Sequence, residues 1–85
     1  MKSIVEKEIN AGYIYLSYEL PVRTVEFGDA YLVDICSDGT VSGVEVLDLT
    51  CGDFDASSFS EIFNTPLEQA ESIKTKILAL KEAGQ

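Results

Sequence analysis

The sequence contains no histidine, and only six lysines and arginines oppose its 15 acidic side chains. Without histidine, general acid and base catalysis near neutral pH would need a carboxylate or thiol with a strongly shifted pKa. The net charge of −9 argues against nucleic acid as a partner, because phosphate binding draws on clustered lysine and arginine. A basic protein partner suits this charge better, although the plainer interpretation is that the charge keeps a small protein soluble.

Cysteine is scarce as well: Cys36 and Cys51 lie far apart, and neither belongs to a Cys-x-x-Cys pair. No metal site and no cofactor is therefore expected. No apolar run approaches the roughly 20 residues that span a bilayer. The opening residues, MKSIVEKEI, lack the long apolar core of a signal peptide. These absences predict a cytoplasmic protein that does not bind membranes, whose thiols are reduced or joined in one disulfide.

What the chain does contain is enough for one domain of 85 residues. Apolar and β-branched segments separated by turn residues predict an antiparallel sheet over residues 1–49. The composition then changes, and we expect a loop with a short helical turn over residues 50–64, followed by a helix over residues 65–84. The predicted class is α+β: an antiparallel β-meander of four to five strands with a C-terminal amphipathic helix packed on one face.

The C-terminal helix has both a start signal and an apolar stripe. Thr65 at the N-cap and Pro66 at the first helical position, with Glu68 two residues later, predict that the helix begins here. The apolar stripe consists of Leu67, Ala70, Ile73, Ile77 and Leu80. Before it, Ser58 and Glu61 have the spacing of a capping box and predict the short helical turn.

Two glycine-containing turns predict how the central strands pair. Asp38-Gly39 suits a two-residue type I′ turn, which needs positive φ at both central positions. Such a turn places Val33 opposite Val44, and it places Gly43 opposite the aspartate that follows Val33.

Gly28-Asp29 suits a type II′ turn, again with a two-residue loop. This second turn would place Arg23 opposite Asp34. On these two registers Arg23, Asp34 and Glu45 share one sheet face, which predicts a possible polar site. The plainer interpretation is a cross-strand ion pair beside a solvated glutamate.

The helix can cover only one face of the sheet, and we expect it to cover the face with Val33, Ile35, Val44 and Val46. The other face carries a predicted interface, whose members are Val25, Phe27, Leu32, Val41 and Leu47. Exposed apolar patches usually mark interfaces, and a two-fold dimer is the commonest way to close one. We therefore expect a homo-oligomer, in the first instance a dimer, unless a partner chain covers this face.

The segments AGYIYL (Ala11 to Leu16), RTVEFGDAYLVDI (Arg23 to Ile35) and DGTVSGVEVLD (Asp38 to Asp48) resemble a family of small prokaryotic proteins called domain of unknown function family 2283. The resemblance covers about residues 11–48 and implies a compact β-rich domain without an established activity. Some members of this family are thought to be encoded beside small toxin-like proteins, which implies a possible antitoxin or partner role. The chain departs from the family by continuing into a helix, and by carrying Asn10-Ala11 where members tend to have an acidic residue.

Taken together, these patterns favour a non-enzymatic interaction protein. It would act through self-association or through a basic protein partner, with neither nucleic acid nor a membrane as its target. The alternative is a small enzyme or ligand-binding module centred on Arg23, Asp34 and Glu45. A concave pocket around those three residues would favour the alternative, and a flat apolar patch would favour the interaction protein.

Overall fold

The computed structural model describes residues 2–6, 11–48 and 54–83. The strands are β1 (Lys2–Glu6), β2 (Ala11–Tyr15), β3 (Arg23–Phe27), β4 (Tyr31–Ile35) and β5 (Val41–Val46). The helices are α1 (Ala56–Phe63) and α2 (Leu67–Ala83). The predicted α+β class, with an antiparallel sheet followed by a C-terminal helix, is confirmed. Cys51 lies outside the described residues, and the thiol of Cys36 is free and buried.

The five strands form one antiparallel sheet in the order β1-β2-β5-β4-β3. β3, β4 and β5 make the predicted meander, but β2 lies beside β5 and not beside β3. The connection over residues 16–22 therefore crosses the end of the sheet. Backbone hydrogen bonds hold it at both ends: the Leu16 and Ser17 N–H groups donate to the Ser42 carbonyl at 2.9 and 3.1 Å, and Val22 N–H donates to the Ile35 carbonyl at 2.8 Å.

The turn between β4 and β5 has three loop residues, so the prediction of a type I′ turn is wrong. The Gly39 N–H donates to the Cys36 carbonyl at 3.0 Å, and the Cys36 N–H donates to the Thr40 carbonyl at 2.8 Å. Gly39 has a φ of 88°, whereas Asp38 does not adopt positive φ. The Asp38 carboxylate instead accepts from the Thr40 N–H and hydroxyl at 3.0 and 2.6 Å. A positive φ is costly for a residue with a Cβ, so only the glycine adopts it.

Despite this different turn, most of the predicted pairing of β4 with β5 is correct. Val33 lies opposite Val44, and the residue after Val33 lies opposite Gly43, as predicted. Nearer the turn, Ile35 pairs with Val41, which leaves Ser42 as an extra residue in the ladder. The longer turn shifts the pairing by one residue, and this β-bulge shifts it back.

The predicted register of β3 against β4 is wrong by one residue. The loop over residues 28–30 is one residue longer than a type II′ turn, so Val25 lies opposite Val33 and Arg23 lies opposite Ile35. A one-residue shift moves every side chain of a strand to the other face. The gain is apolar burial: Val25 and Phe27 join the core, where the predicted register would have placed threonine and glutamate.

The core lies between the sheet and the two helices. The face with Val33, Ile35, Val44 and Val46 is the covered one, as predicted, and the helix residues packed in the same cluster are Phe59, Ala70, Ile73, Ile77 and Leu80. Leu67 is half exposed, so the apolar stripe of α2 begins at Ala70. Phe27 anchors the α1 side, with ring centroids 5.4 Å from both Phe54 and Phe59. We refer to this side of the sheet as the covered face.

The starts of both helices differ from the prediction. α1 begins at Ala56, because the Asp55 carboxylate accepts from the Ser58 N–H at 3.1 Å and caps the helix. The hydrogen bond from the Ser58 N–H also holds the pKa of the Asp55 carboxyl below its usual value. Ser58 therefore lies within the first turn of α1 and is not its N-cap.

Thr65 does not cap α2, contrary to the prediction. Its hydroxyl is buried and has no hydrogen-bond partner in the part of the chain that the structure describes. Thr65 instead belongs to the end of α1: its N–H donates to the Ser60 carbonyl at 3.1 Å, and the Ser60 hydroxyl donates to its carbonyl at 2.7 Å. Thr65→Ala would therefore remove no N-cap hydrogen bond from α2.

Candidate functional site

The face of the sheet opposite α1 and α2 is the candidate site. Two rows of residues cross it from β2 to β3, and we call them together the open face: Tyr13, Glu45, Leu32 and Glu26 in one row, and Tyr15, Gly43, Asp34 and Thr24 in the other. Residues directly opposite each other in an antiparallel sheet share a face, so these side chains lie on one side. All but Gly43 retain solvent exposure. None of these described side chains is positively charged.

Asp34 is the centre of a hydrogen-bond network that joins three strands. The Tyr13 hydroxyl on β2 donates to Oδ2 of Asp34 on β4. The Thr24 hydroxyl on β3 donates to the other oxygen, Oδ1, at 2.7 Å. Each carboxylate oxygen thus has a donor, and the network fixes the side chain in place.

Gly43 makes this network possible. It lies on β5, between β2 and β4, and the ring of Tyr13 passes over it to reach Asp34. A Cβ at this position would lie 2.6 Å from Cε1 and Cζ of Tyr13, which is closer than such atoms approach. A tyrosine packed across a strand glycine also supplies the side-chain cover that the glycine lacks.

Tyr13 is held in its neutral form. Burial raises the pKa of Tyr13 well above its usual value, and the hydrogen bond and negative charge of Asp34 raise it further, with smaller effects from Tyr15 and Glu45. The hydroxyl therefore serves as a donor and is unsuited to act as a base near neutral pH. The neighbouring ring of Tyr15 lies 4.5 Å away between centroids and is tilted by 52°. Together the two rings form an aromatic patch beside the carboxylates of Asp34 and Glu45.

The predicted polar trio is only partly assembled. Asp34 and Glu45 lie on the open face, as the β4–β5 register implied. Arg23 does not join them, because the shifted register of β3 puts it opposite Ile35 and therefore toward the other face. Tyr13 and Thr24 lie beside Asp34, where Arg23 was predicted to lie.

The predicted interface is dispersed, because the shifted register of β3 moves Val25 and Phe27 to the covered face and the bulge at Ser42 moves Val41 there. Phe27 and Val41 are buried in the core, and Val25 packs against it. Leu32 alone of the five lies on the open face, half-buried between strands. Leu47 follows the end of β5 and is 43% exposed. The set therefore does not form one contiguous surface.

Tyr13 and Thr24 are functional candidates that sequence reasoning missed. Their roles depend on β2 lying beside β5 and on the register of β3, and no local turn signal indicates either. Gly43 lies opposite Asp34, as the predicted β4–β5 register requires, and the ring of Tyr13 fills the space above it.

A groove and a group of potential metal ligands lie outside the open face. A groove of about 390 Å³ lies between the β4–β5 turn and the α1–α2 junction; its lining includes Thr40, Phe63 and Gln69. Side chains of Glu19, Cys36 and Asp38 bring potential metal ligands within 4.8 Å of one another. The Cys36 side chain is buried and Asp38 already binds Thr40, so this group has the contacts of an ordinary turn. In the described part of the chain, no helix has the length and apolarity needed to cross a membrane.

Comparisons with protein-family models, with curated proteins and with solved structures give no match to this chain. The resemblance of residues 11–48 to domain of unknown function family 2283 therefore stays a prediction.

Proposed function

We propose that this chain is a non-enzymatic interaction protein whose open face binds a basic protein partner. The observation that carries the proposal is the composition of that face: three carboxylates, those of Glu26, Asp34 and Glu45, share it with two tyrosine rings, and those of Asp34 and Glu45 lie nearest the rings. Carboxylates beside exposed aromatic rings suit lysine and arginine side chains, which can pair with the former and stack on the latter.

The distribution of charge along the chain supports this partner class. Residues 11–48, which form most of the sheet, contain seven acidic residues and one base, Arg23. Residues 67–83, which form α2, contain three acidic residues and three lysines. The acidity is therefore concentrated in residues 11–48, in the strands and in the turns and connections between them, where it would attract and orient a basic partner. A small basic toxin-like protein is one partner of this chemistry.

The alternative of an enzyme or ligand-binding module centred on Arg23, Asp34 and Glu45 has less support. Without Arg23 the open face offers no cationic group for an anionic substrate among the described side chains of β2 to β5. Asp34 already accepts two hydrogen bonds, and Tyr13 is held neutral. A partner that supplies its own cations fits this arrangement better than a reaction that needs a free base.

A titration of isotope-labelled protein with an oligolysine peptide tests the proposal. We expect NMR shifts concentrated at Tyr13, Tyr15 and Glu45, and binding that weakens as salt rises, because surface charges are screened over roughly 10 Å at 0.1 M salt. Glu45→Lys should weaken binding several-fold, whereas Glu71→Lys, the same charge change at an exposed site on α2, should have a smaller effect. Shifts spread evenly over all acidic residues, or equal effects of the two variants, would contradict the proposal.

Self-association and a cytoplasmic setting complete the proposal. The support for a homodimer comes from the connection over residues 16–22, where Tyr18, Leu20 and Val22 are 95%, 87% and 65% exposed. Exposed apolar side chains this close together favour an interface. Light scattering at micromolar concentration measures the mass directly, and a monomer mass would leave the basic partner as the only proposed interaction.

The free, buried thiol of Cys36 suits a reducing compartment.

A further inference from the structure

β3 is the last strand of the sheet order, so one side of its backbone has no neighbouring strand among the described residues. Arg23, Thr24 and Glu26 on β3 are exposed. An edge strand presents N–H and C=O groups that can pair with an added strand, and such addition is a common way to recognise extended peptides. Proteins often protect such edges with charged side chains, proline or a bulge; β3 carries Arg23 and Glu26 but has neither proline nor a bulge within Arg23–Phe27.

The two sides of this edge differ sharply in chemistry. On the open face, the edge is formed by Thr24 and Glu26, with the Asp34 carboxylate in the next strand. On the covered face it is formed by Val25 and Phe27, with the exposed Arg23 at the start of the strand, and the ring centroid of Phe63 in α1 lies 5.9 Å from that of Phe27. Val25 and Phe63 are only partly buried. A strand added here would meet acid on one face and apolar surface on the other.

We propose that β3 binds an extended segment of the basic partner, in which basic and apolar residues alternate. Successive side chains of a strand point to opposite faces. The basic residues would therefore lie beside Glu26 and Asp34, and the apolar residues beside Val25 and Phe63. This inference rests on the proposed function and adds to it the place and the sequence pattern of recognition.

Charge argues for this occupant over a second copy of the chain. In a two-fold pairing of β3 with its copy, the open-face residues Thr24 and Glu26 of one chain would lie beside those of the other. Arg23, the one base of β3, lies toward the covered face and would not relieve this repulsion. Each copy would also bring a net charge of −9. A basic strand avoids both costs.

Two synthetic peptides of about nine residues, long enough to exceed a typical strand, test the pattern. One alternates lysine and valine, and the other has the same composition with the lysines and valines in separate blocks. We expect the alternating peptide to bind about tenfold more tightly, and to slow hydrogen exchange of backbone amides within Arg23–Phe27. Binding of the two peptides within twofold of each other, or no slowing in β3, would overturn the proposal.

A matched pair of variants locates the site. Glu26→Lys should weaken binding of the alternating peptide about fivefold or more, whereas Glu71→Lys on α2 should change it less than about twofold. Equal losses from the two variants would overturn the edge-strand inference, as would a dimer that protects β3 without peptide. If both peptides bind equally and depend on Glu45 instead of Glu26, the proposed function stands and only this inference fails. If neither peptide binds, both fail.

Discussion

The two faces of the sheet are built from the same strands but held by different interactions. On the covered face, Val33, Val44 and Val46 are almost fully buried against α1 and α2. On the open face, the central feature is the hydrogen bond from Tyr13 to Asp34, with a second one from Thr24. The covered face depends on apolar area removed from water, and the open face depends on hydrogen bonds and on the space above Gly43.

The difference indicates where most of the stability of a chain of 85 residues comes from. A domain this small has one modest core, so nearly all of its burial must be concentrated on one side of the sheet. The other side is then free to carry charge and exposed aromatic rings at little cost. Substitutions on the covered face should therefore have the largest effects on folding, whereas changes of the exposed charged side chains on the open face should act mainly on the proposed binding.

The largest expected effect is on the covered face. Phe59 is fully buried and contacts the rings of Phe27, Phe54 and Phe63, so Phe59→Ala should cost about 3–5 kcal/mol in the free energy of unfolding. Leu32→Ala, on the open face, should cost no more than about 1 kcal/mol because its side chain is only partly buried. Urea denaturation of both variants measures the difference. Similar costs would show that the open face is also packed.

A second prediction concerns Gly43, the tightest point of the open face. Gly43→Ala would place a methyl group against the Tyr13 ring and push its hydroxyl away from Asp34. The expected cost is about 1–3 kcal/mol, from overpacking and the loss of a charged hydrogen bond. The double variant Gly43→Ala with Tyr13→Ala is the control, because the methyl group then has room. If the alanine costs as much with Tyr13 removed, the clash does not explain its effect.

The covered face was largely predictable from the sequence, because its signals are local and redundant. The spacing of Ala70, Ile73 and Ile77 predicts an amphipathic helix, and alternation around Val33 and Val44 predicts the strands that it covers. The β4–β5 pairing was mostly correct even though the turn at Gly39 was not of the predicted type, since the bulge at Ser42 compensates for the longer loop.

The open face was only partly predictable, because its contacts join residues that are distant in sequence. Tyr13 and Asp34 meet only because β2 lies beside β5, and no turn signal specifies that neighbour. The register of β3 was wrong because a two-residue turn at Gly28 was weighed without the burial of Phe27. Thr65 shows the same limit: the end of α1 holds it, and this removes it from the cap that its sequence pattern favours.

The smallest expected effect concerns Tyr13 on the open face, whose contribution to the free energy of unfolding should change at alkaline pH. The pKa of Tyr13 is raised in the folded protein, so above the usual tyrosine pKa of about 10 the unfolded chain releases a proton that the folded chain keeps. The folded state then binds more protons, and stability falls as pH rises. Below about pH 9 the stabilisation that is linked to the raised pKa of Tyr13 is fully present.

Tyr13→Phe should therefore cost about 1 kcal/mol at neutral pH, through loss of the hydrogen bond to Asp34, and the cost should shrink as pH rises toward about 11. Urea denaturation across this range measures the difference between the two proteins. Tyr18→Phe is the matched control, since Tyr18 is 95% exposed and its loss should leave the pH dependence unchanged. A Tyr13→Phe curve parallel to that of the unaltered chain throughout would show that the Tyr13 proton is not linked to folding, and the open face would lose its central contact.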